Sequence, residues 1–224
     1  MKVEVENISK SYKDNIVLDN ISCVFESGKI YGLLGINGAG KSSFIKILYG
    51  MNSQDQGQIL YDGRKSISSK DIGALIERPA IYDNLSALDN LRTKALLYSI
   101  DKEEIDKVLK IIGLESVGKK RAGKFSLGMK QRLGIGMAIL TNPKFLILDE
   151  PTNGLDPEGI EHLLEMIRML KEKGMTILFS SHQLHEVQEI ADEILILHDG
   201  KIRLKTKNDK KINLKEEFFA IIGG

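Results

Sequence analysis

The sequence predicts an α/β fold with a mostly parallel sheet, an N-terminal antiparallel β region and an inserted helical block. Three observations point there. Short apolar runs alternate with helical patterns through the second half of the chain. A glycine-rich loop joins one apolar run to a helix near residue 40. From about residue 86 to 112 the hydrophobic period changes to the helical one.

The elements follow in order. Residues 3–8 alternate polar and apolar, and 16–25 are rich in β-branched and apolar types, so both are expected strands. Ile30-Tyr31-Gly32-Leu33-Leu34 reads as a buried strand. Residues 57–64 read as a strand closed by an Asp62-Gly63 turn, and 72–76 as another buried strand. From about residue 86 to 112, Leu88, Leu91, Ala95, Leu96, then Ile105, Val108, Leu109 and Ile112 recur at helical spacing. A Gly- and Lys-rich stretch, 118–124, closes this block. Helices are then expected at 128–140, 158–171 and 184–190, and strands at 145–148, 175–179 and 194–197. Asp199-Gly200 turns into a last short strand at Ile202, and the charge-rich tail 205–215 is expected to be solvated.

The glycine loop carries the first chemistry. Gly35-Ile36-Asn37-Gly38-Ala39-Gly40-Lys41-Ser42 follows the run 30–34 and opens the pattern Phe44-Ile45-Lys46-Ile47-Leu48. Strand, glycine loop and helix is the context that a P-loop requires. The glycines let the backbone wrap an anion with its N–H groups pointing inward. Lys41 would reach the β and γ phosphates, and the Ser42 hydroxyl would ligate Mg²⁺. Gly35, Asn37, Gly38, Ala39, Gly40, Lys41, Ser42 and Ser43 are the candidate nucleotide-binding residues of a P-loop NTPase core. The division expected is a single domain, 1–224, with 1–78 and 133–224 as the nucleotide-binding core and 79–132 as the inserted helical subdomain.

A second element complements the loop. Phe145-Leu146-Ile147-Leu148-Asp149-Glu150 is an apolar strand ending in two carboxylates. Asp149 suits a direct or water-bridged Mg²⁺ contact. Glu150, one residue on, would orient or deprotonate an attacking water. The plainer alternative is a core strand leaving the sheet at a solvated acidic pair. His182 would bond a γ-phosphate and position the water, or would simply be a capping or surface histidine. His182 and His185 stand three apart, but no third metal ligand accompanies them.

Bulk properties exclude several classes. The chain has 224 residues, with 32 Lys+Arg against 31 Asp+Glu, a net charge of +1. That balance gives no support to nucleic-acid binding. The single Cys23 excludes an internal disulfide framework. No apolar run reaches the roughly 18 residues of a membrane span, and no secretory segment is visible. The expectation is a soluble cytoplasmic protein with no membrane insertion of its own, any membrane role coming through a partner.

With these motifs in place, the chain resembles the ATP-binding-cassette (ABC) transporter ATPases along essentially its whole length. Phe125-Ser126-Leu127-Gly128-Met129-Lys130-Gln131-Arg132 resembles that family's signature, usually Leu-Ser-Gly-Gly-Gln, and makes 79–132 its signature subdomain. Gly154-Leu155-Asp156-Pro157 is similar to its D-loop, and Ser180-Ser181-His182 to the strand end bearing its switch histidine. Tyr12 stands where the family places an aromatic against adenine, although alone it would read as strand packing. Ser126 and Gly128 would offer a hydroxyl, an N–H and a helix dipole to an anion, or Ser126 is an ordinary N-cap.

Two departures mark a subgroup. Leu127 and Met129 replace the usual Gly and Gln of the signature. In Ile72-Gly73-Ala74-Leu75-Ile76-Glu77-Arg78-Pro79, Glu77 occupies the place of the Q-loop glutamine, whose role is to contact Mg²⁺ and water. Both features resemble the ATPases of bacitracin-resistance and lantibiotic-immunity exporters. The resemblance implies ATP and Mg²⁺ as cofactors. Catalysis would fall to Glu150, His182 and Lys41, metal contact to Ser42, Glu77 and Asp149, and further nucleotide contact to Tyr12, Ser126, Gly128 and Asp156. It implies a transmembrane permease as partner and a second ATPase subunit in a head-to-tail, ATP-dependent dimer. The place implied is the inner face of the cell membrane. Other readings are an ATPase of another drug or lipid exporter, or a non-transport ABC ATPase; the second is disfavoured by a single cassette without sustained heptads.

Overall fold

The computed structural model describes residues 1–209 and 213–223. Two sheets form the frame. The smaller is antiparallel, in the order β2-β1-β4, from β1 (Val3–Tyr12), β2 (Asn15–Phe25) and β4 (Gln56–Tyr61). The larger uses β3 (Ile30–Leu34), β5 (Ile72–Leu75), β6 (Phe145–Asp149), β7 (Thr176–Ser181), β8 (Glu193–His198) and β9 (Lys201–Lys207). Its order is β5-β6-β7-β3-β8-β9, parallel except for the β8–β9 pair. The expected α/β class with a mostly parallel sheet and an antiparallel N-terminal region is what the chain adopts.

Strand alternation builds the two core layers. Successive strand residues point to opposite faces. On β3, Ile30 and Leu34 join the core under the helices, while Tyr31 and Leu33 join the core under the small sheet. β6 divides likewise, Leu146 and Leu148 against Phe145 and Ile147. Both faces are covered, so these strands are apolar throughout, as parallel strands generally are.

Helices α1 (Lys41–Tyr49), α2 (Ala87–Tyr98), α3 (Lys102–Ile111), α4 (Leu127–Ile139), α5 (Pro157–Glu172) and α6 (Leu184–Ile190) fill the connections. The block expected over 86–112 is two helices. Ser99, in the left-handed region at φ 54°, ends α2, and α3 begins after Asp101. Leu91 and Ala95 are buried as the spacing predicts, but Leu96 is 83% exposed. A helix's buried stripe is set by what it packs on, and Leu96 lies just outside it.

The tail differs from expectation. β9 runs seven residues, with Lys and Thr side chains interleaved, rather than a short strand around Ile202. An unforeseen helix, α7 (Leu214–Gly223), buries Leu214 and Phe218 and packs on α6 and β8. Of the stretch expected to be solvated, residues 210–212 lie outside the described residues. No helix among the described residues is long and apolar enough to cross a membrane.

Two glycines seat α4 on β5. A Cβ at Gly73 would stand 2.3 Å from the Ala138 carbonyl oxygen, and one at Gly134 would stand 2.9 Å from Leu75 Cδ1. Gly73→Ala should therefore lower the unfolding free energy by about 1–3 kcal/mol, the usual cost of overpacking. Urea denaturation measures this, and an unchanged midpoint would show that the contact is loose.

Candidate functional site

The parallel register gathers the charged groups on one edge. β3, β5, β6 and β7 all end there, and open parallel sheets form their crevices at such ends. The P-loop leaves β3, with Gly38 and Gly40 at φ 85° and 105°, a region open to glycine but strained for other residues. A Cβ at Gly35 would stand 2.6 Å from the Leu197 carbonyl oxygen, so the loop lies close against β8.

Lys41 opens α1 and is only 6% exposed. A buried ammonium needs partners. Its Nζ donates to the carbonyls of Gly35 (2.6 Å) and Ile36 (3.3 Å) and lies 3.2 Å from Glu150 Oε1. Glu150 Oε2 is 2.6 Å from His182 Nδ1. The three residues expected to be catalytic, Lys41, Glu150 and His182, thus form one connected chain. They line a cavity of about 480 Å³ together with Asn37, Gly38 and Ser42. Gly40 and Ser43 also line it, while Ala39 is buried in the loop wall.

Glu150 adopts φ 49°, uncommon for a residue with a side chain. The turn is pinned by Ser180, whose hydroxyl accepts the Glu150 N–H (2.9 Å) and donates to Asp149 Oδ1 (2.7 Å). Reading motifs along the chain does not assign Ser180 this task. The signal is tertiary: Asp149 and Ser180 are register partners in the β6–β7 pair. Glu186 is a second unforeseen tie. Fully buried on α6, it accepts from Thr152 Oγ1 (2.8 Å) and Ser181 Oγ (2.7 Å). It joins the turn after Glu150 to the strand end before His182.

The residues expected at a metal also meet. Ser42, Glu77 and Asp149 line a neighbouring cavity of about 660 Å³, which shares Ser42, Glu150 and Asn153 with the first. Their oxygens are hard donors that suit Mg²⁺. Among the described residues no cluster of three His, Cys, Asp or Glu forms a complete cage. Mg²⁺ ordinarily completes its shell with water and phosphate, so the donor set fits that ion. Glu77 stands at φ 60° and takes a hydrogen bond from Lys46 Nζ at 2.5 Å. That bond, then the Lys46 charge, holds the Glu77 carboxyl below its ordinary value.

The signature divides: Leu127, Lys130 and Gln131 border the cavity of Ser42, Glu77 and Asp149, whereas Ser126 and Gly128 do not. Ser126, Gly128 and Asp156 line a third cavity of about 270 Å³ that shares no residue with the P-loop cavity. Ser126 Oγ caps α4 by accepting from the Met129 N–H (3.2 Å), and Asp156 caps α5 by accepting from the Gly159 N–H (2.9 Å). Tyr12 is not brought to the P-loop cavity either; Val17, across the same β1–β2 hairpin, lines it instead. Tyr12 is 44% exposed, its hydroxyl accepts from Asn52 (2.8 Å), and Lys10 Nζ lies 5.4 Å from its ring centre.

Glu186→Ala should cost about 2–4 kcal/mol of stability, from a cavity plus two hydroxyls without an acceptor. Denaturant unfolding would reveal it, and a wild-type curve would mean that the tie is dispensable.

A protein-family model described as ABC transporter matches residues 18–153. The lantibiotic transport ATP-binding protein SrtF of Streptococcus pyogenes is 45% identical over 219 residues, covering 96% of this chain and 95% of that protein. The bacitracin transport ATP-binding protein BcrA of Bacillus licheniformis is 41% identical, covering 95% of this chain and 74% of that protein. A solved ATP-binding subunit of an ABC transporter shares the fold at TM-score 0.83 and 31% identity, covering 100% of this chain and 95% of that one. A nucleotide-free ATP-binding cassette from an ABC transporter superposes at TM-score 0.86 and 24% identity, covering 99% and 97%.

Proposed function

This chain belongs to the ABC transporter family of ATPases, and on that premise we propose that it drives export of a peptide antibiotic of the lantibiotic or bacitracin type. It is an ATP-binding subunit. The observation that carries hydrolysis is Glu150, held at once by Lys41, His182 and Ser180 at the mouth of the P-loop cavity. Similarity to the lantibiotic relative over nearly its full length supports the substrate class.

In this reading the P-loop amides and Lys41 hold the phosphates. Mg²⁺ would be held by Ser42, Asp149 and Glu77, and it supplies charge neutralisation of the phosphate oxygens. Glu150 takes the proton of the attacking water, and His182 orients that water against the γ-phosphate. A phosphate ligand would draw the Lys41 ammonium away from the Gly35 carbonyl, since an ionic oxygen is the stronger acceptor. Tyr12 shares a hairpin with Val17, which supports placing the base on that side.

The signature cavity supports a composite site. Ser126 and Gly128 face a cavity separate from the P-loop, so they would serve the nucleotide of a second subunit in a head-to-tail dimer. The helical segment 79–132 carries that signature, and the core 1–78 with 133–224 carries the loop and the acids. A transmembrane permease would hold the pair at the inner face of the membrane.

Glu150→Gln should keep ATP binding and lower turnover by about two to four orders of magnitude. Steady-state phosphate release measures it, and wild-type turnover would remove Glu150 from its role. Cells relying on this chain for protection should become sensitive to bacitracin or a lantibiotic with the same substitution. In the Glu150→Gln background, adding Ser126→Arg should abolish the ATP-driven dimer seen by size-exclusion chromatography. A surviving dimer would exclude the signature from the shared interface.

A further inference from the structure

Lys46 lies one turn beyond Ser42 on α1, so the two side chains share a helix face. Ser42, Glu77 and Asp149 line the cavity on that side. Lys46 Nζ reaches across to Glu77 Oε1 at 2.5 Å. A positive group therefore already holds one of the three candidate cation ligands. Surface pairs of this kind contribute little to stability. Glu77 is nevertheless held in the left-handed region while making this one, at φ 60°.

We propose that Lys46 is the built-in counter-cation of Glu77, and that Lys46 and a divalent cation compete for the same carboxylate. The inference rests on reading Ser42, Glu77 and Asp149 as the cation side of the site. Its physical reason is charge. An uncompensated Glu77 would stand near Asp149, Glu150 and the incoming phosphates, and like charges there oppose nucleotide entry. Lys46 removes that opposition, so the chain accepts nucleotide even where the cation is scarce. Lys46 must then give up Glu77 when the cation arrives, which weakens the gain that the cation brings. Lys46 is thus a positioning residue that sets how strongly nucleotide binding depends on the divalent ion.

The test measures binding of a fluorescent ATP analogue in Mg²⁺ and in EDTA, which needs no turnover. The proteins are the wild type, Lys46→Met, Lys46→Arg, Glu77→Gln and the Lys46→Met/Glu77→Gln double variant. Lys46→Met should enlarge the affinity gain from Mg²⁺ by about five- to tenfold, the scale of one screened charge contact near a surface. Lys46→Arg should behave as wild type, because the counter-charge is kept. In the Glu77→Gln background, Lys46→Met should leave the Mg²⁺ gain unchanged within about twofold, because no carboxylate remains to compete for. Lys46→Gln repeats the measurement if methionine disturbs the fold. An equal effect of Lys46→Met in both backgrounds would overturn the proposal and assign Lys46 directly to the phosphates. No effect in either background would overturn it as well. A wild type whose affinity ignores Mg²⁺ would bring down the reading of the cation side itself, and this inference with it.

Discussion

The parallel pairing of β3, β5, β6 and β7 is the constraint on which the site depends. Parallel strands end on the same edge of the sheet, so every loop leaving them starts from one line. The register is tight. Leu75 pairs with Leu148, which places Glu77 and Glu150 each two residues beyond a matched pair. Both carry positive φ, at 60° and 49°. Two neighbouring strands thus end in the same way, with a glutamate turned back over the edge. Asp149 pairs with Ser180 one strand further along, and Lys41 opens the helix that follows β3. The charges converge because the backbone hydrogen bonds leave the strand ends nowhere else to go.

Convergence of charge has a cost in a partly closed site, and the structure meets it by pairing. The Lys41 ammonium is shared between two carbonyls and Glu150. Glu150 divides its two oxygens between Lys41 and His182. Asp149 takes the Ser180 hydroxyl, Glu77 takes Lys46, and Glu186 takes two hydroxyls behind the loop. Pairing of this sort holds the charges in place before a ligand arrives. The left-handed glutamates fit the same picture, since backbone strain persists only where surrounding bonds over-determine it.

The helical segment follows a different logic. α4 is pressed against β5 through Gly73 and Gly134, so the signature is rigidly tied to the strand that delivers Glu77. Its own cavity nevertheless shares no residue with that of the P-loop. Ser126 and Gly128 thus line a cavity distinct from the one that the P-loop of the same chain lines. That geometry is the physical content of the shared site proposed for two copies.

Much of this was legible along the chain. The P-loop, the apolar strand before Asp149 and Glu150, and the βα alternation are local patterns, so strand, loop and helix stood near their observed bounds. The composition of β3, β6, β7 and β8 already required a sheet covered on both faces. What the tertiary structure alone decided involves partners distant in sequence. Ser180 reaches Asp149 and Glu150 across some thirty residues, and Glu186 reaches Thr152 across 34. Lys46 finds Glu77 across 31, and Val17 rather than Tyr12 enters the P-loop cavity. Leu96 faces solvent and α7 docks through Leu214 and Phe218 because packing selects the buried stripe, whereas periodicity only offers one. Local sequence determines which groups can do the chemistry. Strand register and helix packing decide which of them stand within hydrogen-bond reach, because those distances are set by backbone pairing between segments that the sequence keeps far apart.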